Sequence, residues 1–139
     1  TARRLGVRIA IENGHFPTIA RLLAEWPADY LGLCYDSGHA NCDGYGVAAL
    51  ETLKDRLISI HLHDNDGTGD QHKLLFTGTV DWPRLARVIA ASAYTKCVNL
   101  ETLIHNTGYT DEMEFLLKTR EDGLRFTGMI AAARGTVRG

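Results

Sequence analysis

The chain has 139 residues, of which 45% are hydrophobic and 23% charged, and its formal net charge is −2. This composition is ordinary for one globular domain with its own core and argues against disorder. The 15 basic and 17 acidic residues are scattered, which disfavours nucleic acid as a partner. No apolar run reaches the roughly 18 residues of a membrane span, and the N-terminus lacks the apolar segment of a signal peptide.

The first half of the chain predicts two strands and two helices. Residues 6–12 are rich in β-branched side chains and are predicted to form a strand, which is followed by the turn Glu-Asn-Gly. Pro17 suits the first turn of a helix that ends at Pro27. Residues 30–36 form the second strand, and residues 47–53 carry a short helix.

The second half repeats this alternation. Residues 57–64 form the third strand, and a polar loop follows. Asp81 can cap a helix whose first turn contains Pro83. Residues 97–101 form the fourth strand.

The last helix is predicted to begin at Asp111 and to run towards Ala133, with a break near Gly123 and Gly128. Four successive βα units imply a parallel sheet with right-handed crossovers. No change of composition marks a linker, so we predict one domain over residues 1–139.

Each predicted strand ends with side chains that can bind a metal ion. They are Glu12 after the first strand, Asp36 and His39 after the second, His61, His63 and Asp64 in the third, and Glu101 in the fourth. The carboxyl ends of parallel strands form one rim, where ligands bind. Each residue alone has an ordinary explanation, such as a solvated carboxylate or a helix cap. The recurrence in all four strands favours one site for a single divalent cation, Mn, Mg, Co or Zn.

These residues lie in short strings whose order and spacing are specific. The strings are RIAIEN at 8–13, YDSGHAN at 35–41, SIHLHDND at 59–66, DQHKLLFTGTVDW at 70–82 and NLET at 99–102. Together they resemble the C-terminal half of the xylose isomerase-like TIM barrel superfamily, which includes sugar phosphate isomerases and epimerases and endonuclease-IV-type AP endonucleases. The resemblance implies an α/β fold in which four βα units are strands 5–8 of a (β/α)8 barrel.

The resemblance also implies roles for individual residues. The metal ligands would be Glu12, Asp36, His61 and Glu101. Glu12 and Glu101 would also be the catalytic pair. The substrate-binding residues would be His39, Asp70 and His72, the last two matching a D-x-H element that binds a further zinc in the endonuclease branch. Leu75 departs from the family loop, which often has proline there.

Some side chains keep two interpretations. His63 either contacts substrate or is solvated, and Asp64 either orients a ligand imidazole or caps the loop. We interpret Trp82 as a core anchor of its helix rather than a wall of the sugar pocket. We interpret His15 and His105 as solvated loop residues.

Three functions remain open. The first is a sugar, sugar phosphate or polyol isomerase or epimerase, in which one glutamate removes a proton and the other returns it through a metal-stabilised enediolate. The second is an AP endonuclease with a zinc cluster, and the third is an inactive half-barrel. One bound metal per chain would favour the isomerase, and two or three the nuclease.

The expected partners follow from the same resemblance and from the cysteines. The ligand would be a small sugar or sugar phosphate, with no membrane partner. The sequence contains no counterpart of the first four βα units, so we expect a fragment of a longer product or two copies that close against each other. Cys34, Cys42 and Cys97 form no C-x-x-C pair, which indicates reduced thiols, packed as small core residues, in a cytoplasmic protein.

Overall fold

The computed structural model describes the backbone of residues 2–137 and the side chains of residues 2–135. Within this range one parallel sheet contains β1 (Ile9–Glu12), β2 (Leu31–Asp36) and β3 (Leu57–His61), in that order. The helices are α1 (Phe16–Glu25), α2 (Ser37–Cys42), α3 (Gly46–Leu53), α4 (Trp82–Ala90) and α5 (Glu112–Val137). Short 3-10 turns lie at Arg3–Leu5, Lys54–Arg56 and Ile104–Asn106. The fold is therefore the predicted α/β half-barrel.

The central strand β2 is the most buried element, because it is paired on both edges. All six of its residues are buried, whereas the four residues of β1 at the sheet edge are exposed or half-buried. Glu12 is opposite Cys34 in the β1–β2 pair, and Asp36 is opposite His61 in the β2–β3 pair. This register brings the carboxyl ends of the three strands together at one end of the sheet, the carboxyl edge.

The fourth predicted strand, residues 97–101, is reduced to a single parallel bridge between Leu100 and Leu62. Leu62 N–H donates to the Asn99 carbonyl (3.0 Å), and Glu101 N–H donates to the Leu62 carbonyl (2.9 Å). The position and direction of the segment are as predicted, but a full strand was wrong. Within the described residues the segment pairs only with the β3 side, so one row of hydrogen bonds holds it.

The break predicted in the last helix is wrong, because α5 is continuous over 26 residues. Its start is as predicted, since Glu114 N–H donates to Asp111 Oδ1 at 2.9 Å. Gly123 serves close packing instead, because a Cβ there would lie 3.0 Å from Leu100 Cδ1.

The sequence missed one short helix, α2, which begins directly at the end of β2. Asp36 caps it by accepting a hydrogen bond from His39 N–H (2.8 Å). The strand end and the helix start thus share one carboxylate, and this turn places His39 beside Asp36.

The core lies between the sheet and the helices. Leu33, Ile60 and Leu85 are completely buried, and burying each such side chain contributes about 1.5–3 kcal/mol. Trp82 is 3% exposed, and its ring meets Phe126 edge-on with centroids 5.2 Å apart, so it anchors α4 in the core as interpreted.

The three cysteines differ in burial. Cys34 is buried and Cys42 half-buried, whereas Cys97 is exposed, so its assignment to the core was wrong. Within residues 2–137, none of the helices has the length and apolarity that a bilayer crossing requires. The cytoplasmic location and the domain limits 1–139 stay predictions, and Thr1, Arg138 and Gly139 lie outside the described residues.

Candidate metal centre

The four predicted metal ligands converge at the carboxyl edge of the sheet. Glu12, Asp36 and His61 are the last residues of β1, β2 and β3, and Glu101 follows the bridge at Leu100. One ligand atom from each of these four residues lies within 4.8 Å of the other three. Parallel strands produce this convergence, because each strand delivers its final side chain to the same edge.

His61 lies between the two glutamates of the predicted catalytic pair. Its Nδ1 is 3.3 Å from Glu12 Oε2 and 3.1 Å from Glu101 Oε2. Among the described residues, this nitrogen has no hydrogen-bond partner of normal geometry. Two carboxylates and an unpaired imidazole nitrogen therefore face one small volume, which is a suitable donor set for a divalent cation.

Asp36 is completely buried, and its two carboxylate oxygens differ. Oδ1 accepts the helix-capping hydrogen bond from His39 N–H, whereas Oδ2 has no hydrogen-bond partner in the described part of the chain. Burial alone would raise the pKa of Asp36, but the adjacent His63 ring and the hydrogen bond from His39 N–H outweigh it and lower this pKa below its ordinary value. Asp36 is therefore an anion at neutral pH, with one free oxygen that a cation would satisfy.

Asn13 connects the ends of β1 and β2, which the sequence analysis did not foresee. Its side-chain Nδ2 donates to the Asp36 carbonyl (3.1 Å), and its Oδ1 accepts from Asp36 N–H (2.5 Å). Asn13 is 2% exposed. Because the Nδ2 and Oδ1 of this buried side chain both bond to the backbone of Asp36, Asn13 fixes Asp36 relative to Glu12, which directly precedes Asn13 in the chain. The Glu-Asn pair at the strand end was the available sequence signal.

The three predicted substrate-binding residues adjoin the four metal ligands. His39 Nδ1 is 3.2 Å from Glu12 Oε1, and its Nε2 is 3.4 Å from Asp70 Oδ2. His72 Nε2 is 3.1 Å from Asp70 Oδ2 as well. Burial lowers the pKa of His39, but the negative charges of Asp36, Asp70 and Glu12 outweigh it and raise this pKa. His39 is therefore a good donor for a substrate hydroxyl.

The loop between β3 and α4 carries Asp70 and His72 and is fixed against the end of the sheet. Asp64 and Lys73 exchange two backbone hydrogen bonds (3.0 and 2.9 Å), and Leu103 N–H donates to the His72 carbonyl (2.9 Å). His72 has φ +49°, a left-handed conformation that costs a non-glycine residue roughly 1–2 kcal/mol. The surrounding contacts hold this conformation at the site.

Asp64 caps this loop, which decides between its two interpretations. The side chain is completely buried and accepts hydrogen bonds from Gly78 N–H (2.9 Å), Val80 N–H (3.1 Å) and Trp82 Nε1 (2.8 Å). One carboxylate thus ties the end of the loop and the start of α4 back to β3.

His63 is not solvated, so that interpretation was wrong. Its side chain is 0% exposed, and its ring stacks on His72 with centroids 3.9 Å apart.

The two loop histidines, His15 and His105, lie at the surface as interpreted, because both are exposed. His15 also forms a hydrogen bond with the Thr18 hydroxyl. A cavity of about 440 Å³ lies away from the site, between α4, α5 and the segment before Leu100.

Comparisons with known proteins agree with this fold. Residues 1–119 match the family described as xylose isomerase-like TIM barrel. The uncharacterized protein y4fM of Sinorhizobium fredii is 35% identical over 136 residues, which cover 92% of this chain and 43% of that protein.

Two solved structures superpose on nearly the whole chain. A D-tagatose 3-epimerase-like protein has a TM-score of 0.75 at 19% identity, covering 94% of this chain and 51% of that one. An L-ribulose 3-epimerase has a TM-score of 0.74 at 17% identity, covering 99% and 52%. Identities this low show the fold alone. The chain spans about half the length of these relatives.

Proposed function

Since the chain belongs to the xylose isomerase-like TIM barrel family, we propose that it carries the cation site of a sugar isomerase or epimerase. The observation that supports this most is the group of Glu12, Asp36, His61 and Glu101, whose ligand atoms lie within 4.8 Å of one another. The unpartnered atoms Asp36 Oδ2 and His61 Nδ1, in the described part of the chain, fit a cation at this point.

The chemistry divides between the cation and the chain's own carboxylates. A bound divalent cation would polarise a substrate carbonyl. Glu12 and Glu101 approach His61 Nδ1 as separate carboxylates, at 3.3 and 3.1 Å. One, as a carboxylate, takes the proton from the carbon beside the carbonyl, and the other, which enters the step as a carboxylic acid, delivers its proton to the opposite face. Proton exchange with solvent then restores both groups. The product is the epimer at that carbon.

The substrate class follows from the groups around this pair. His39 contacts Glu12, Asp70 contacts His39, and His72 contacts Asp70, so imidazole and carboxylate groups extend from the glutamate pair. Such groups bind the hydroxyls of a small sugar or sugar phosphate. In this proposal His39 donates to a substrate oxygen, since its raised pKa favours the protonated ring.

The first prediction concerns metal occupancy. Glu101→Gln and His61→Ala should each reduce the Mn²⁺ or Co²⁺ bound per chain, because each removes a donor from the group of four. Elemental analysis after dialysis measures the occupancy. Glu112→Gln is the matched control, since Glu112 is an exposed residue in the first turn of α5. Undiminished binding in both site variants would reject this ligand set.

The proton-transfer step has its own test. The protein, loaded with metal, is incubated in D₂O with a panel of ketoses, and deuterium at the carbon beside the carbonyl is followed by NMR. We expect exchange that Glu12→Gln and Glu101→Gln both abolish. Metal binding without exchange of any ketose in an intact fold would instead support the inactive half-barrel.

A zinc-cluster endonuclease is the second candidate, and the contacts of His72 favour it. His72 Nδ1 donates to the Glu101 carbonyl (2.6 Å), which leaves Nε2 facing Asp70 Oδ2, 3.1 Å away. His63, Asp70 and His72 also each have a ligand atom within 4.8 Å of the other two, a donor set that a second cation would fit. Two or three metal ions per chain would favour the nuclease, whereas one ion favours the isomerase.

A further inference from the structure

His63 is a buried histidine that neither the four-residue cation site nor the substrate-binding set uses. It lies two residues after the end of β3, beneath the rim, and its side chain is 0% exposed. Neither ring nitrogen makes a hydrogen bond of normal geometry within the described residues. A buried polar ring in contact with several charged groups requires a physical explanation.

The backbone of His63 is locked to the start of α2. Ser37 Oγ donates to the His63 carbonyl (2.7 Å) and accepts from His63 N–H (3.1 Å). The next residue, Gly38, leaves the space that the ring fills, because a Cβ at Gly38 would overlap it. The ring therefore packs in the space beside Gly38, between α2 and the loop that carries Asp70.

In that place, the ring faces two carboxylates from different elements. His63 Nε2 is 3.1 Å from Asp36 Oδ1 and 3.4 Å from Asp70 Oδ1. Asp36 ends β2 and belongs to the proposed cation site, whereas Asp70 belongs to the loop. On its other side the ring stacks on His72, with an interplanar angle of 15°. His63 thus touches both parts of the site from below.

Without an N–H group at this point, the two carboxylates would repel each other. The carboxylates of Asp36 and Asp70 approach the same ring nitrogen, so an N–H group between them offsets their repulsion. Nε2 carries this N–H in the Nε2–H tautomer of the neutral ring as well as in the protonated ring.

We propose that His63 is a positioning residue that fixes Asp36 for the cation and anchors the loop of Asp70 and His72 against it. The first part rests on the proposed function, because it concerns affinity for the cation. The second part concerns the metal-free protein and stands independently. His63 touches no substrate in this proposal, since its ring is fully covered.

The loop is tested in the metal-free protein by hydrogen exchange. The reporters are the Lys73 and Leu103 amides, which donate to the Asp64 and His72 carbonyls at 2.9 Å. We expect His63→Leu to speed their exchange at least tenfold, and His63→Gln, which keeps an N–H donor near Nε2, to restore most of the protection. His105→Leu is the control, since His105 is an exposed histidine. Unchanged exchange in His63→Leu overturns the anchor.

The cation is tested by titration with Co²⁺, following affinity and the visible absorption of the bound ion. Loss of a group that orients a metal ligand typically weakens metal binding about 10–100-fold. We expect that loss in His63→Leu and recovery in His63→Gln. Equal affinity and spectra in wild type and His63→Leu overturn the positioning of Asp36. Wild-type protein that binds no Co²⁺ rejects the proposed function instead, while the exchange experiment still decides the anchor.

A variant that fails to fold would not end the test. In that case His63→Met replaces His63→Leu in both experiments, because the methionine side chain is also apolar but more flexible than leucine. Its expected results are the same, because it also lacks a donor. Protection and Co²⁺ affinity at the wild-type level in folded His63→Met would overturn the proposal.

Discussion

Gly38 lies in the first turn of α2, against the ring of His63. Gly38→Ala forces the ring or the helix to move, and overpacking of this kind costs about 1–3 kcal/mol. We expect urea unfolding to show that loss, together with weaker Co²⁺ binding. Gly14→Ala is the control, because an added Cβ there has no neighbour within 4 Å. Equal stability of the two variants would show that His63 can move without cost.

Cys34 and Cys97 should differ in reactivity. Desolvation by burial is the main reason that the pKa of Cys34 is raised to about 11. Iodoacetamide reacts with the thiolate, so the raised pKa keeps Cys34 protonated and slow to react at pH 8. Its alkylation rate rises only as the pH approaches 11. We expect iodoacetamide at pH 8 to label the exposed Cys97 first, with Cys34 labelled only after unfolding. Mass spectrometry of Cys97→Ser checks this, and rapid labelling of Cys34 in that folded variant would contradict it.

Sequence periodicity located the groups at the strand ends but not the groups that support them. Glu12, Asp36 and His61 follow apolar strands, and a parallel sheet has only one edge where such ends can meet. The burial of His63 depends on the space that Gly38 leaves, and the role of Asn13 depends on the distance between two strands. Both require three-dimensional positions, which a pattern of residue types does not contain.

At the scale of elements, α5 offers a matched pair of glycines. Glycine in a helix interior is less favourable than alanine by roughly 0.5–1 kcal/mol. Gly128→Ala should stabilise the protein by about this amount, because its Cβ would meet open space. Gly123→Ala should gain less or destabilise, since its Cβ would lie 3.0 Å from Leu100 Cδ1. Urea unfolding measures both, and an equal gain would show that α5 and Leu100 separate readily.

The elements that the sequence predicted correctly are those with strong local patterns. α1 and α4 contain proline in the first turn as predicted, and α1 ends at Glu25, close to the predicted Pro27. Residues 97–101 have the composition of a strand, yet a strand needs partners, and here the described residues supply one bridge. The predicted break in α5 failed for a related reason, because packing against Leu100 offsets the low helix propensity of Gly123.

On the scale of the whole molecule, apolar side chains remain exposed at both ends of the sheet. Val7 and Ile9 are 52% and 40% exposed beside β1. The large apolar side chains of α5 that are exposed are those of Met113, Leu116, Leu117 and Leu124, each at least 56% exposed. Within the described residues, β1 pairs only with β2, and the one bridge of the segment at Leu100 is to Leu62, the residue after β3. Both open edges and the apolar face of α5 are suited to a partner.

The free energy available at these surfaces favours association. Burying about 500 Å² of apolar surface contributes roughly 12 kcal/mol at about 25 cal/mol per Å², before association costs are subtracted. That amount is large beside a typical domain stability of roughly 5–15 kcal/mol. We therefore expect this chain to pair with a second half-barrel, either another copy or a segment that supplies the remaining βα units of the relatives.

Light scattering of the purified chain at micromolar concentration tests this expectation. The chain alone should form dimers or larger species that dissociate on dilution. Leu117→Lys should weaken this association, because it places a charge on the exposed face of α5, where Leu117 is 59% exposed. Arg120→Lys is the control, since it keeps the charge on the same helix. A monomer that melts cooperatively and binds no partner would contradict the expectation, because its open edges and the apolar face of α5 would then be stable in water without one.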